Sequence, residues 1–372
     1  MDTTRALTLI TTLAALVACD PVSKDGNTDD TAAVSGDFTE LTDPCEGAGT
    51  PYGLYFRTES EGWVGCGNGF GLHGTTDGGD SFTSAHPSDD LYVFQVLDDP
   101  DGNLLVCGHD YSTAGDGVLL YRQSGSGWDD LLHYGSNNSD PASAQMSNCG
   151  QVAAAGDGTL VVASNTVGDI THSEDDGLSW SREDRYWEEA NLEPEGYSAY
   201  GIMGLAAAGG AYYASGSNIT APPTFFVPST LGDYYNMRAV VADSGLMGEA
   251  WAMATPDEGA TWVIGGRDQG MSSQASGFLC RSTDGGDSFS CGLVGGDIDI
   301  VHGIAFSEDG RHGVAVGHRY PPGSQGGFVL LTDDAGATWT ELAVDVPILQ
   351  SAAVRGQSFW VAGDAYLARG TF

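Results

Sequence analysis

The chain has 372 residues, of which 51 are acidic and 13 basic, for a formal charge of -38. That balance excludes capture of a nucleic-acid backbone, which needs clustered Lys and Arg to displace counterions, and it repels acidic substrates while attracting cations. Glycine occurs 55 times, and no long stretch repeats its apolar residues at helical spacing. Short apolar runs closed by Gly, Asp, Asn and Ser recur instead, as in "GNLLVCGHDY" and "GTLVVASNT", and predict an all-β chain.

The first residues, "MDTTRALTLITTLAALVAC", combine a polar start carrying Arg5, an apolar core from Ala6 to Ala15, and then "LVAC". The run is too short to span a bilayer as a helix, and residues 1–18 read as a signal peptide. "LVAC" resembles the bacterial lipobox. The resemblance implies that Cys19 is diacylated, becomes the mature N-terminus and tethers the protein to a membrane it does not cross. Asp20 beside it resembles the inner-membrane retention signal of enteric bacteria, and the leaflet stays open. Residues 19–35 are polar, acidic and poor in large apolar groups, so they are expected to form a flexible tether below a folded body over 36–372.

That body is repetitive. Strands ending in a small residue recur as "GWVGCGN" at Gly67, "NLLVCGH" at Gly108, "TLVVASN" at Ser164, "AYYASGS" at Gly216, "TWVIGGR" at Gly266, "GVAVGHR" at Gly317 and "FWVAGDA" at Gly363, at intervals of 41 to 56 residues. Seven such units predict a seven-bladed β-propeller of four-stranded blades. The last unit stops at Phe372 after three strands, and "GDFTELTD", Gly36 to Asp43, matches the missing fourth, as in "ATWTELAVD". The N-terminal strand is therefore expected to close the last blade and remove its open edge. A closed ring needs no partner to fold, so a monomer is expected.

Between third and fourth strands lie "TTDGGDSF", "SEDDGLSW", "STDGGDSF" and "TDDAGATW". This S/T-x-D-x-G-x-S/T-aromatic pattern resembles the Asp-box, or BNR, repeat of sialidase-superfamily propellers. The matching residues are Asp77, Gly79 and Phe82; Asp175, Gly177 and Trp180; Asp284, Gly286 and Phe289; Asp334, Gly336 and Trp339. "YRQSGSGW" from Tyr121 and "PSTLGDYY" from Pro228 resemble decayed copies. "TPDEGATW" from Thr255 falls between first and second strands and reads as a coincidence of turn composition. A calcium loop needs six or more converging oxygens, and each of these turns offers one or two carboxylates. They read as structural turns, with no metal and no cofactor expected.

With Cys19 lipidated, six cysteines remain for an oxidising compartment. Cys280 and Cys291 flank one Asp-Gly turn symmetrically and are expected to bridge its hairpin. Cys66 and Cys107 occupy equivalent positions in neighbouring blades and are a candidate pair, while Cys45 and Cys149 have no geometry in the sequence.

The resemblance includes sialidases, xyloglucanases and non-enzymatic members. Sialidases carry an arginine triad and an Arg-Ile-Pro element; "YFRTES" offers Arg57 but neither Ile nor Pro, and the remaining arginines are scattered. The mouth formed by the second-to-third-strand loops is the expected site, with His109, Asp110, Tyr111, Arg267, Asp268, His318, Arg319 and Tyr320, joined by the inter-blade segment Asp184 to Tyr200. The expected function is a ligand- or protein-binding scaffold at the cell envelope, its partner an envelope protein or a glycan. A carbohydrate-active hydrolase or lyase on the same ring is the alternative, and a structural or assembly role the third.

Overall fold

The computed structural model describes residues 38–45, 49–67, 69–86, 91–110, 118–133, 149–164, 170–183, 202–216, 223–228, 237–241, 245–269, 276–295, 297–319 and 326–372. These form seven antiparallel sheets of four strands each. Each sheet takes its strands in chain order except the last, which draws its fourth from the N-terminus. The first strands, Pro51–Phe56, Leu91–Asp98, Gln151–Ala154, Ile202–Ala208, Gly248–Ala254, Ile298–Phe306 and Leu349–Arg355, touch one another in turn and return to the start. They are the inner wall of a closed seven-bladed propeller.

Closure follows the expected register. Phe38, Thr39 and Glu40 pair with Gly370, Arg369 and Ala368, and the Leu41 amide donates to the Leu367 carbonyl at 2.8 Å. At the same seam Phe56 of blade 1 stacks on the buried Trp360 of blade 7 with ring centroids 3.7 Å apart. The core lies between blades, since neither face of a single sheet is covered by its own residues. Tyr213 and Phe225 of blade 4 pack on Trp262 of blade 5.

The small residue that marks the repeat has a physical cause. In blades 2, 5, 6 and 7 a Cβ on Gly108, Gly266, Gly317 or Gly363 would overlap a carbonyl oxygen of the inner strand or of the residue leading into it, from Tyr92, Glu249, Ile300 and Ile348 respectively. In these four blades the inner strand is bulged beside that glycine, and a bulge bends the strand toward its neighbour. In blade 3 the inner strand pairs without a register shift, and there the equivalent residue is Ser164. A side chain is tolerated where no bulge presses on it.

The four Asp-Gly turns share one hydrogen-bond pattern. In the first, the Thr75 hydroxyl donates to Asp77 Oδ1 at 2.8 Å and accepts from the Gly79 amide at 2.9 Å. The Ser81 amide and hydroxyl donate to Oδ1 and Oδ2 of Asp77 at 2.9 and 2.6 Å. The same bonds recur around Asp175, Asp284 and Asp334. Both oxygens of each carboxylate are thus occupied by donors within the turn. The residue after each aspartate has positive φ, including Asp176 at 65° and Ala335 at 58°. Its amide donates to the first-to-second-strand turn of the same blade, at Ser60, Gly158, Ala260 or Arg311.

"TPDEGATW" does lie between the first and second strands of blade 5, but it folds as the same turn rather than as a chance match. The Gly259 amide donates to Thr255 Oγ1 at 2.8 Å, the Thr261 amide to Asp257 Oδ1 at 2.5 Å, and Glu258 has φ 54°. The local sequence dictates the turn wherever two antiparallel strands present their ends to it. "YRQSGSGW" has become a tight hairpin in which Ser124 pairs with Gly127. Most of "PSTLGDYY" lies outside the described residues.

These turns also join blades. Arg122 on the third strand of blade 2 donates to the Asp176 carbonyl of blade 3 at 3.1 Å, Arg281 of blade 5 to the Ala335 carbonyl of blade 6 at 3.0 Å, and Arg369 of blade 7 to the Gly78 carbonyl of blade 1 at 3.3 Å. In each case the acceptor is the positive-φ residue after the aspartate, whose carbonyl points out of its own turn. Arg57 reaches from blade 1 to Asp98 of blade 2 with two bonds of 2.7 Å. Arginines that sequence reasoning left scattered are inter-blade ties.

Cys280 and Cys291 are bridged, with Cα atoms 4.0 Å apart. The candidate pair of Cys66 and Cys107 is not formed: Cys66 bonds Cys45, and Cys107 bonds Cys149. Equivalent positions in adjacent blades are separated by a packed layer of side chains, whereas each true partner lies in the segment leading into an inner strand.

The box carboxylates make the fold acid-sensitive. The Ser81 hydroxyl, then its amide, hold Asp77 down to about 2, and Ser179 lowers Asp175 likewise. At Asp284 and Asp334 burial pushes upward but is outweighed, chiefly by the Ser288 and Thr338 hydroxyls. A carboxylate depressed in the folded state stabilises it above the unfolded pKa, about 3.9, and loses that contribution as pH falls through the folded value. The turns should therefore lower the melting temperature between about pH 4 and 2, below the separate loss that histidines kept neutral by burial begin near pH 6.5. A melt as stable at pH 2 as at pH 5 would contradict this role.

Candidate functional site

An up-and-down blade places its first-to-second and third-to-fourth connections at one end and all others at the opposite end. The Asp-Gly turns therefore crowd one face of the ring, and the mouth of the central channel opposite them receives the second-to-third-strand and inter-blade connections. Six inner strands are bulged, that of blade 6 twice, and the residues skipped by the register are Tyr52, Phe94, Met203, Trp251, Asp299, His302 and Gln350. All but the enclosed Asp299 are half-buried. A bulge re-aims the side chain of the extra residue, so the wall is furnished from its own backbone irregularities.

The rings gather in two places. On blades 1 and 2, Tyr92 lies 4.7 Å from Phe94 and 5.9 Å from Tyr52 between ring centroids. On blades 5 and 6, Trp251 meets His302 edge-to-face at 5.4 Å and 89°. The Trp251 indole N-H donates to Glu249 Oε2 at 2.9 Å, which fixes the ring and leaves its faces apolar.

Behind His302 runs a polar chain. His302 Nε2 lies 3.0 Å from His318 Nδ1, and His318 Nε2 lies 3.1 Å from Oδ2 of Asp299, which is 2% exposed. Arg267 Nε approaches the other Asp299 oxygen at 3.3 Å. Burial, then the charges on His318 and Arg267, push His302 down to about 3; burial also lowers His318, against the pull of Asp299. Both imidazoles are therefore neutral at neutral pH. With Asp299 Oδ2 accepting from His318 Nε2-H, His318 Nδ1 accepts from His302 Nε2-H, and His302 Nδ1 carries a lone pair. Among the described residues nothing donates to it. The arrangement accepts protons or hydrogen bonds at one fixed atom beside an indole.

The structure brings together some of the residues singled out from sequence. Arg267 and His318 converge on Asp299. Asp268 accepts from the Met247 amide at 2.9 Å and shapes the entry to blade 5. Arg319 turns to the outer side of blade 6, held at 2.5 Å by both Asp297 and Glu341. His109 is half-buried at the end of the second strand of blade 2, away from this cluster, and Asp110 ends the same strand. Tyr111, Tyr320 and residues 184–200 lie outside the described residues. Sequence reasoning missed Glu249, Trp251, Asp299 and His302 because it searched loops. The available signal was "GDIDIVHGIAF", an inner strand carrying Asp and His where a buried strand should be apolar.

The sequence matches no protein-family model and no curated protein. Solved propellers do match in structure. YCF48 from Cyanidioschyzon merolae aligns with TM-score 0.59 at 15% identity over 90% of this chain and 98% of its own. YCF48 bound to D1 peptide aligns at 0.57 and 16% over 91% and 99%. Virginiamycin B lyase from Staphylococcus aureus aligns at 0.62 and 11% over 91% and 99%. At such identities the likeness shows the propeller fold alone.

Proposed function

We propose that this chain is a lipid-tethered propeller of the cell envelope, a member of the Asp-box superfamily without sialidase activity, whose channel mouth binds a ligand or protein partner. The observation that carries the reading is the division of labour between the two ends of the ring. Turns, arginines and carboxylates at one end are consumed in fastening blades, while bulged inner strands at the other present half-buried aromatic and acceptor side chains. Aromatic anchors on a rigid frame are the usual carriers of binding energy. The peptide bound by YCF48, a propeller of like fold, is compatible with this use of the ring.

The Asp299–His318–His302 chain favours a second reading, acid-base chemistry on the same ring, and one structural relative is a lyase. Two-carboxylate glycoside hydrolysis needs both acids open to the substrate. Of the two carboxylates at this cluster, Asp299 is enclosed and already engaged by His318 and Arg267. Binding is therefore the better-supported use.

The test is co-purification from envelope extract with Trp251→Leu and Tyr92→Leu variants. Loss of the captured partner, with thermal melts unchanged, is the expected outcome. Retention of the same partner by both variants would count against this mouth.

A further inference from the structure

We propose that the Cys280–Cys291 disulfide is a thiol-exchange site, at which an aliphatic thiol attacks Cys291 and is held there as a reversible mixed disulfide. The site lies on the outer rim of blade 5 and makes no use of the channel mouth.

Three observations converge. First, the fold does not need this bridge. The two cysteines face each other across the hairpin of the Asp284 turn, between Ser276–Ser282 and Ser290–Leu293. In the hairpins of the Asp77, Asp175 and Asp334 turns the same two positions hold His73 and Ser84, Thr171 and Arg182, and Leu330 and Glu341. Register and turn bonds agree in all four, so strand pairing and the Asp284 carboxylate already fasten what the disulfide spans. The bridge also joins residues only 11 apart, against 21 and 42 for the other two, and the entropic gain from a cross-link shrinks with the loop it closes.

Second, of the three bridges this one is within reach of solvent. Cys45, Cys66, Cys107 and Cys149 are 0% exposed and Cys280 is 1% exposed, whereas Cys291 is half-buried. Third, the direction of attack is open on one side. A thiolate approaches a disulfide in line, opposite the sulfur that leaves. Ser290–Leu293 is the outermost strand of its sheet, so the line from Cys280 to Cys291 runs outward past the sheet edge, while the reverse line runs into the blade. A Cβ on the adjoining Gly292 would meet nothing within 4 Å.

The step balances without an outside oxidant. The incoming thiolate bonds Cys291 Sγ, the bond to Cys280 Sγ breaks, and Cys280 leaves with the electron pair and takes a proton from water. Cys280 stays in the apolar cluster with Trp262, Phe225 and Phe278, against which Cys291 packs. Its return attack on Cys291 therefore releases the thiol and closes the bridge. The formal charge of -38 favours thiols that carry no negative charge.

The probes are cysteamine and a blocked Gly-Cys-Gly peptide, incubated with the folded protein, quenched in acid and mapped by peptide mass spectrometry. An adduct on Cys291 is expected, with the other two bridges intact and the melt still cooperative; removing excess thiol should close the bridge again. Cystamine, the matching disulfide, should label Cys291 in Cys280→Ala at least tenfold faster than Cys280 in Cys291→Ala. The wild-type arm decides the question if either variant fails to fold. An adduct from cysteamine alone assigns the site to small thiols; adducts from both probes extend it to a partner's cysteine.

Absence of any adduct until denaturant unfolds the ring, attachment at Cys280, or opening of all three bridges together would overturn the proposal. Equal labelling of the two folded variants would do the same.

Discussion

Removing residues 1–43 should lower the melting temperature by roughly six degrees, while removing residues 1–33 should leave it unchanged. The difference is the strand Phe38–Glu40, which supplies the fourth position of blade 7. Its loss exposes the edge of Tyr366–Thr371, withdraws Phe38 from beside Phe359 at 6.2 Å, and removes Leu41 from the seam where it packs near Phe56 and Trp360. Deleting large apolar side chains from a packed site costs about 2–5 kcal/mol each when fully buried. These two are only half-buried, so a combined loss on the order of 4 kcal/mol is reasonable, or roughly six degrees for a domain of this size. The effect should spread to the whole ring, because each blade is covered only by its neighbours. Equal melts of the two truncations would remove the closure from the account.

Replacing Arg122 by methionine should be the most damaging single charge removal. Its side chain is 9% exposed and ties three groups: Asp99 at 3.2 Å in its own blade, and the Asp176 carboxylate and carbonyl at 2.6 and 3.1 Å in the next. Methionine fills the aliphatic volume but leaves Asp99, whose side chain is 4% exposed, without its cation. Breaking a buried pair from one side costs about 3–5 kcal/mol. The exposed Asp176 partner reduces this, and about 3 kcal/mol is expected, read as a shift in denaturant midpoint at constant slope. Asp176→Asn should cost far less, because its carbonyl still accepts from Arg122 and its side chain is in water. A methionine variant as stable as wild type would show that packing, not the tie, holds blades 2 and 3 together.

The ring was legible in the sequence because its repeat has a steric cause. Gly108, Gly266, Gly317 and Gly363 are demanded by a carbonyl of a bulged inner strand or of the residue leading into it, so the same small residue returns once per blade. The turn pattern was legible because Ser or Thr, Asp and Gly each have one job within a few residues of one another. Partners far apart in the chain were not legible. Arg122 and Asp176 are 54 residues apart, and no local pattern announces a contact that exists only after two blades pack. The same is true of Cys107 and Cys149, 42 residues apart.

The site was half legible for a different reason. Arg267 and His318 stand at strand ends, where sequence reasoning looks for function. The groups they meet, Asp299 and His302, sit within an inner strand whose neighbours are apolar. Such a strand reads as core until the bulges that turn its residues toward the channel are seen.

Site-specific photo-crosslinking from the two faces of the ring tests the central claim most directly. A photoreactive residue placed at Phe94 or Gln350, on the channel wall, should label a discrete partner in envelope extract. The same residue at Ser81 or Ser288, in the Asp-Gly turns, should label none above background. Adducts arising from the turn face and absent from the channel wall would contradict the assignment of function to that mouth.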